Sequence, residues 1–259
     1  ICFNNGWCET SPFAAFAMAV VFGAILGMFN GWIIANFKLN TMLVTLGTQT
    51  FFTGLSMGLL QLKEITSTLP QALKDFGKSY LFEVTDSAGL KSNMTTMFIF
   101  LVLLVIVTSF VLNKTMFGRA LYAIGGNEVS AERAGYNVKR TKFILYTVVG
   151  AVSGFIGMIR VCMASQSIPK AMVNKEFTII PAVILGGVSM SGGSGSIAGA
   201  LIGMLILGVL QNGLTLLDVS SFWQDISRGI VIILAVYLDV TRKKRAAKKL
   251  VAEQQKNQQ

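Results

Sequence analysis

One segment of the sequence reads Phe177-Thr-Ile-Ile-Pro181-Ala-Val-Ile-Leu-Gly186-Gly187-Val-Ser-Met190-Ser191-Gly-Gly-Ser-Gly-Ser196, an apolar stretch that contains a proline and runs into glycine and serine. A helix needs about 20 apolar residues to cross the hydrocarbon core of a bilayer, and this stretch is shorter. Irregular backbone survives at membrane depth only when protein buries it or when it lines a wet cavity. The segment therefore predicts a short, broken helix enclosed by other membrane helices.

Six longer apolar stretches accompany this segment, and each is long enough to cross a membrane. They lie at 13–37, 41–60, 94–112, 143–163, 196–217 and 222–239. Apolar residues make up 53% of the chain and charged residues 13%, a balance that excludes an ordinary soluble domain. We expect an all-α membrane protein, a multi-pass transmembrane helical bundle over residues 1–240 with one short, broken helix.

The basic residues predict the orientation of this bundle. Lys and Arg number 22 against 12 Asp and Glu, and cytoplasmic loops of membrane proteins carry the basic excess. A cytoplasmic C-terminus puts fourteen Lys and Arg inside, in the 113–142 loop, in the 241–259 tail and at Lys38, against six outside. We therefore expect a basic cytoplasmic tail at 241–259 that lies against membrane lipid and anchors the last span. No nucleic-acid partner is implied.

The residues that the sequence lacks make an enzyme less plausible and exclude several common kinds of catalysis, such as those that need histidine. The chain has no histidine, its cysteines Cys2, Cys8 and Cys162 lack metal-site spacing, and no phosphate-binding G-x-x-x-x-G-K-[ST] motif occurs. Gly193 to Ala198 fits the form G-x-G-x-x-A but follows no predicted strand, which disfavours a dinucleotide site. We expect no catalytic residue, metal or cofactor in this chain, and any ATP that powers it must bind to another subunit.

Glycines at intervals of four residues predict close helix packing. Gly23, Gly27 and Gly31 form one such row, and Gly195, Gly199 and Gly203 form another. Small residues let two helix backbones approach each other within a membrane. The stretches Ile25–Gly31 and Ile206–Gly213 are also faintly alike, which favours either a transporter built from two related halves or a chance likeness of apolar helices.

The 113–142 loop is too long for a tight turn. Gly125-Gly126-Asn127 predicts a break, Asn127 can cap a helix, and Glu128 to Ala134 predicts a short helix that ends at Gly135. Such a polar helix suits a soluble partner that docks from the cytoplasm. An ordinary solvated loop is the alternative.

At this loop the sequence resembles the permease subunits of bacterial ATP-binding-cassette (ABC) importers for ribose and other simple sugars. The similar phrases include Phe117-Gly-Arg-Ala-Leu-Tyr-Ala-Ile-Gly-Gly-Asn-Glu128 and Val183-Ile-Leu-Gly-Gly-Val-Ser-Met-Ser-Gly-Gly193, and further ones follow in order along nearly the whole chain. The resemblance implies a multi-pass permease of the bacterial cytoplasmic membrane that translocates a monosaccharide. It also implies three kinds of partner: an ABC ATPase subunit, a second permease copy, identical or different, and an extracytoplasmic sugar-binding protein.

The same resemblance assigns an ATPase-coupling loop. Its candidate docking residues are Gly126, Asn127, Glu128, Ala131 and Gly135. The family's N-terminal spans have no counterpart after Ile1, so we expect the chain to begin late. Asp218 and Gln211 stand where members often have Gly and Asn, which leaves the solute open. Another small polar solute, such as a signal molecule or a nucleoside, or a self-sufficient carrier or channel, remains an alternative.

Uncharged polar residues within apolar spans are the candidates for a solute path. They are Asn30, Gln49, Ser189, Ser191 and Asn212. Amide and hydroxyl groups can exchange hydrogen bonds with the hydroxyls of a sugar, although hydrogen bonds between helices explain each residue as well. Arg160 and Arg228 also fall within apolar segments, where they either extend toward the membrane surface or line a path.

Overall fold

A computed structural model describes residues 12–37, 39–59, 71–77, 79–85, 91–231, 233–235, 237 and 240–241. The basic tail expected at 241–259, apart from Thr241, lies outside these residues, as do Cys2, Cys8 and Lys38. The helices are α1 (Pro12–Phe37), α2 (Thr41–Leu59), α3 (Gln71–Gly77), α4 (Met97–Lys114), α5 (Met116–Gly126), α6 (Glu128–Arg133), α7 (Val138–Ala164), α8 (Glu176–Leu185) and α9 (Ile197–Leu216). A further helix, α10, covers 221–231.

Long apolar helices dominate the described part of the chain. Four of these helices are long and apolar enough to cross a membrane: Phe13–Phe37, Met97–Lys114, Val138–Ala164 and Ile197–Leu216. α2 has a comparable length of 19 residues, but its threonines and Gln49 make it more polar. The expectation of an all-α, multi-pass membrane bundle is confirmed.

The chain divides into two compact units, of which the first contains residues 1–117 and 131–171. Its main contact joins α1 to α7, where Gly23 and Gly27 lie against Gly150 and Gly154 so closely that a Cβ atom on any of them would overlap the opposite backbone. Gly31 lies against Phe143 and Tyr146 of the same helix. The glycine row on α1 therefore receives another helix, as the sequence predicts.

A small apolar cluster closes one end of the first unit. It contains the buried residues Ala15, Leu73, Met97, Met158 and Cys162. A short antiparallel hairpin, β1 (Tyr80–Thr85) and β2 (Lys91–Thr95), precedes α4. Thr96 ties this hairpin to α4, because its backbone N–H and its hydroxyl both donate to the Ser79 carbonyl, at 3.0 and 2.9 Å. The sequence pattern does not predict this hairpin.

The second unit contains residues 118–130 and 172–259. The short, broken helix is confirmed as α8, which holds Pro181 and ends at Gly186. α8 packs on α9, and Cβ atoms on Gly199 or Gly203 would overlap the α8 carbonyls of Gly186 and Ala182. Gly195 does not continue this row, since it precedes α9 in a loop and lies against Val188.

Candidate docking segment and solute groove

An amphipathic helix, α5, leads from the long helix α4 into the predicted docking loop. The two helices are separated at Thr115, whose extended backbone (φ −105°, ψ 158°) ends α4. Gly118 and Ala120 form the buried side of α5, whereas Arg119 and Met116 are exposed. This helix was not predicted, because the whole 113–142 stretch was expected to be a cytoplasmic loop and Gly125-Gly126-Asn127 predicts a break.

The short helix α6 forms as the sequence predicts and is one residue shorter at its end. The side-chain oxygen of Asn127 accepts a hydrogen bond from the Ser130 N–H at 3.0 Å and so caps the first turn. At the other end Gly135 adopts φ +90°, and the N–H groups of Gly135 and Tyr136 donate to the carbonyls of Glu132 and Ala131. Glycine adopts this left-handed backbone conformation more easily than any other residue.

The candidate docking residues divide into an exposed set and a buried anchor. Gly126, Asn127 and Gly135 are exposed, and Glu128 is half-buried. Ala131 is only 3% exposed, so it holds α6 in place and does not face outward. The outward side of α6 instead carries Val129, Ser130, Glu132 and Arg133. This exposed set is polar except for Val129, which suits a soluble partner.

Backbone contacts fix the end of α5 to the loop between α8 and α9, which we call the glycine loop (residues 186–196). A Cβ atom on Gly125 would lie 2.7 Å from the Gly193 nitrogen, and one on Gly193 would lie 2.6 Å from the Gly126 Cα. The Tyr122 hydroxyl also donates to the Gly195 carbonyl at 3.1 Å. Main-chain contacts and the Tyr122 hydroxyl thus join the docking segment, which we define as residues 114–140, to the loop that follows α8.

The glycine loop has defined internal structure. The Ser189 N–H donates to the Ser194 carbonyl at 3.0 Å, and the Gly192 N–H donates to the Ser189 carbonyl at 3.1 Å. Ser196 caps α9 by accepting from the Gly199 N–H at 3.0 Å. Two of the candidate path residues, Ser189 and Ser191, therefore lie in a folded loop beside α5.

The other candidate path residues lie elsewhere. Asn212 is exposed on α9, sixteen residues beyond Ser196 and hence about 24 Å along the helix from the glycine loop. Asn30 and Gln49 lie in the first unit, on α1 and α2, and both are half-buried. The side-chain oxygen of Asn30 is buried and has no hydrogen-bond partner among the described residues. Ser189, Ser191 and Asn212 therefore do not form one site within the second unit.

A groove in the second unit brings together other polar residues. It is an open groove between α8, α9 and α10, and it contains Thr178, Gln211, Gln224, Ser227 and Arg228 among apolar side chains. Nη1 of Arg228 lies 2.8 Å from a carboxylate oxygen of Asp225. Gln211 and Arg228 each stand out in the sequence, but no sequence pattern indicates that they line one groove.

Residues 3–236 match the protein family described as the branched-chain amino acid transport system / permease component. The match covers most of the chain, including the docking segment, the glycine loop and the groove. The chain belongs to this permease family. The family is one of transport components rather than of enzymes.

Curated relatives of the permease family include ribose and xylose proteins. The chain is 41% identical over 218 residues to the ribose import permease protein RbsC of Bacillus subtilis. This alignment covers 84% of this chain and 64% of the relative. It is 35% identical over 231 residues to RbsC of Escherichia coli, and that alignment covers 89% of this chain and 70% of the relative. For the xylose transport system permease protein XylH of Escherichia coli the identity is 30% over 280 residues, covering 88% and 71%.

The chain thus spans just under two thirds of the length of the Bacillus subtilis relative and slightly more of the others. No solved structure matches the chain.

Proposed function

We propose that this chain is the membrane-spanning permease of an ABC importer and translocates a monosaccharide, ribose or a related simple sugar, across the bacterial cytoplasmic membrane. The family and the two kinds of sugar permease among the relatives support this function. The four long apolar helices provide the spans. ATP binds to a partner ATPase and not to this chain.

One structural observation carries the proposal: the docking segment is fixed to the glycine loop. The outward side of α6 is available to a partner, while the end of α5 contacts Gly192 and Gly193 in the loop that connects α8 to α9. A displacement of α5 and α6 by an ATPase would therefore reach both helices that line the groove.

The basic residues of the docking segment support a cytoplasmic position for it. Lys114, Arg119, Arg133, Lys139 and Arg140 are all exposed. Lys and Arg near the ends of membrane helices favour the cytoplasmic side. The proposed orientation puts the C-terminal tail on that side as well, beside anionic lipid. On the opposite side an extracytoplasmic sugar-binding protein delivers the sugar, and a second permease copy completes the path.

Two substitutions in the docking segment test the function. Glu128→Arg reverses an acidic charge in the first turn of α6, where the helix dipole favours negative charge, and Gly135→Leu places a side chain at φ +90°. We expect both to reduce ATPase co-purification and ATP-driven sugar uptake by the full protein while its membrane abundance is retained. Co-purification from mild detergent and uptake of labelled ribose and xylose are the measurements.

Lys170→Glu is the matched control, because Lys170 is exposed in the connection beyond the far end of α7. It should leave ATPase co-purification unchanged. A solitary protein that moves sugar in liposomes without any ATPase would contradict the importer function. If the wild-type transporter takes up another labelled polar solute but neither ribose nor xylose, the importer function stands and the proposed solute is wrong.

A further inference from the structure

The open groove between α8, α9 and α10 has mostly apolar walls. They include the exposed side chains of Phe177 and Leu210. Exposed apolar surface of this kind marks a contact with the membrane or with another protein. Because the groove is open along one side, an acyl chain of the bilayer can lie in it without being enclosed.

Aromatic residues place the polar end of this groove near the membrane surface. Phe222 and Trp223, in the first turn of α10, are both exposed. Tryptophan is enriched at the level of the lipid headgroups. Arg228 lies five residues further along α10, about 7.5 Å deeper, and its side chain is long enough to extend back to that level. The polar end of the groove therefore lies at the depth of phosphate and ester groups.

Three hydrogen-bond donors of the groove have no partner among the described residues. The Nε atom of Arg228 is buried and unpaired there. The Thr178 hydroxyl and the side-chain amide of Gln211 also make no hydrogen bond with the described part of the chain. Unfilled donors in apolar surroundings cost free energy. The phosphate and ester oxygens of a phospholipid can fill them, because these oxygens only accept.

An acidic and a basic side chain lie side by side in the same place. Nη1 of Arg228 lies 2.8 Å from a carboxylate oxygen of Asp225, and the Asp225 side chain is 69% exposed. A guanidinium suits the geometry of a phosphate, and an exposed carboxylate can accept hydrogen bonds from an ammonium group. Since the two charges offset each other, the pair favours a headgroup that carries both charges over one that is only anionic.

We infer that this groove binds a phospholipid with a zwitterionic primary-amine headgroup, phosphatidylethanolamine. Its phosphate contacts Arg228, its ammonium contacts Asp225, and one acyl chain lies along the apolar wall beside Phe177. Thr178 of α8 and Gln211 of α9 donate to its ester oxygens. The bound lipid thereby joins the broken helix α8 to α9 and α10. This inference does not depend on the solute or on ATP.

Native mass spectrometry of the full protein tests the site. The protein is purified in mild detergent, stripped of lipid and given equal amounts of phosphatidylethanolamine, phosphatidylcholine and phosphatidylglycerol. We expect phosphatidylethanolamine to be retained in preference, because choline has no N–H to donate and phosphatidylglycerol has no cation for Asp225. Equal or stronger retention of either other lipid by the wild-type protein would overturn the inference.

Arg228→Leu should lower the retention of phosphatidylethanolamine about tenfold, or roughly 1.4 kcal/mol, because charge-assisted hydrogen bonds to the phosphate are lost. Arg160→Leu is the matched control, since Arg160 is an exposed arginine near the end of α7 and does not line the groove. It should retain the lipid as the wild type does. Equal losses in the two variants would assign the effect to overall charge, and an unchanged Arg228→Leu would also refute the site.

Two milder substitutions test the site without removing Arg228. Asp225→Asn should shift the preference from phosphatidylethanolamine to phosphatidylglycerol, because the guanidinium is then no longer offset. Thr178→Val, which is isosteric, should lower the retention of phosphatidylethanolamine about threefold, whereas Thr215→Val on α9 outside the groove should not. An Asp225→Asn variant that keeps the wild-type preference would show that the headgroup does not lie at this pair.

Discussion

Gly193 is the residue at which the docking segment and the glycine loop come closest. Its φ of +76° is accessible to few residues other than glycine, and a Cβ atom there would lie 2.6 Å from the Gly126 Cα. Both the strained backbone and the overlap oppose any side chain, and the backbone strain alone costs about 1–3 kcal/mol. A methyl group at Gly193 should therefore separate the end of α5 from the loop.

Gly193→Ala is expected to lower ATP-driven uptake while the partner ATPase continues to hydrolyse ATP, because the added methyl group moves the end of α5 away from the loop. Uptake and ATP hydrolysis are measured on the same liposomes. Ser194→Ala is the matched control, since Ser194 is exposed and contributes its backbone carbonyl to the loop. If ATP hydrolysis remains coupled to uptake in Gly193→Ala, the contact does not transmit movement from the ATPase to the glycine loop.

Asn30 offers a different test at the level of a single residue. Its buried oxygen lacks a partner among the described residues, so Asn30→Leu, which has a similar shape, should keep or raise the thermal midpoint of unfolding in detergent. If Asn30 belongs to the solute path, as the sequence predicts, sugar uptake should fall in spite of that stability. A lower thermal midpoint with normal uptake would assign Asn30 a structural role only.

The contact between helices α1 and α7 is made by backbone atoms at their glycine residues. Gly27 of α1 meets Tyr146 and Gly150 of α7, and a Cβ atom on Gly150 would lie 2.7 Å from the Gly27 Cα. In lipid no hydrophobic force drives helices together, so the pair is held by van der Waals contact at close range. A large side chain in this contact must push the helices apart along their length.

Gly27→Leu should accordingly reduce the folded protein recovered in detergent, with a loss of at least about 1–3 kcal/mol typical of an overpacked site. Size-exclusion chromatography and thermal unfolding measure the loss. Gly54→Leu on α2 is the control, because nothing lies within 4 Å of a Cβ atom there. Equal recovery of the two variants would mean that the α1–α7 contact contributes little to stability.

Sequence patterns predict the elements of this protein unevenly. Four of the six predicted long spans, the short helix α8 and the capped helix α6 follow from local signals: apolar length, a proline with a glycine pair, and Asn127 with Gly135. α5 and the hairpin at Tyr80–Thr95 were missed, because neither has a run of residues that excludes loop. The groove was missed for another reason, since Thr178, Gln211 and Arg228 meet only through tertiary packing.

The molecule as a whole presents apolar side chains to its surroundings. Leu103, Ile106 and Phe110 of α4 are 58%, 62% and 63% exposed, and Leu205 and Val209 of α9 are 66% and 72% exposed. Soluble proteins rarely expose such continuous apolar faces. Lipid tails, or further helices, must cover them, which agrees with the composition of the sequence.

The proposed orientation predicts a labelling pattern across the membrane. With Cys2, Cys8 and Cys162 replaced by alanine, Ser130→Cys on the outward side of α6 should resist an impermeant maleimide in intact cells and react after the membrane is opened. Lys170→Cys should react in intact cells, because one span, α7, separates the two exposed positions. The reverse labelling pattern would show that the topology is opposite to the proposed one, and α6 could then not be the docking site of the ATPase.

The contact between α5 and the glycine loop is made of main-chain atoms, with a single hydroxyl from Tyr122. The side chains on the outward side of α6 take no part in it. If α6 is the docking surface, as we propose, then substitutions at its exposed residues Val129, Ser130, Glu132 and Arg133 can change which ATPase subunit binds while the contact behind them keeps its structure. Adapting the chain to a different ATPase would then need a new surface on α6 but no change in the main-chain contact between α5 and the glycine loop.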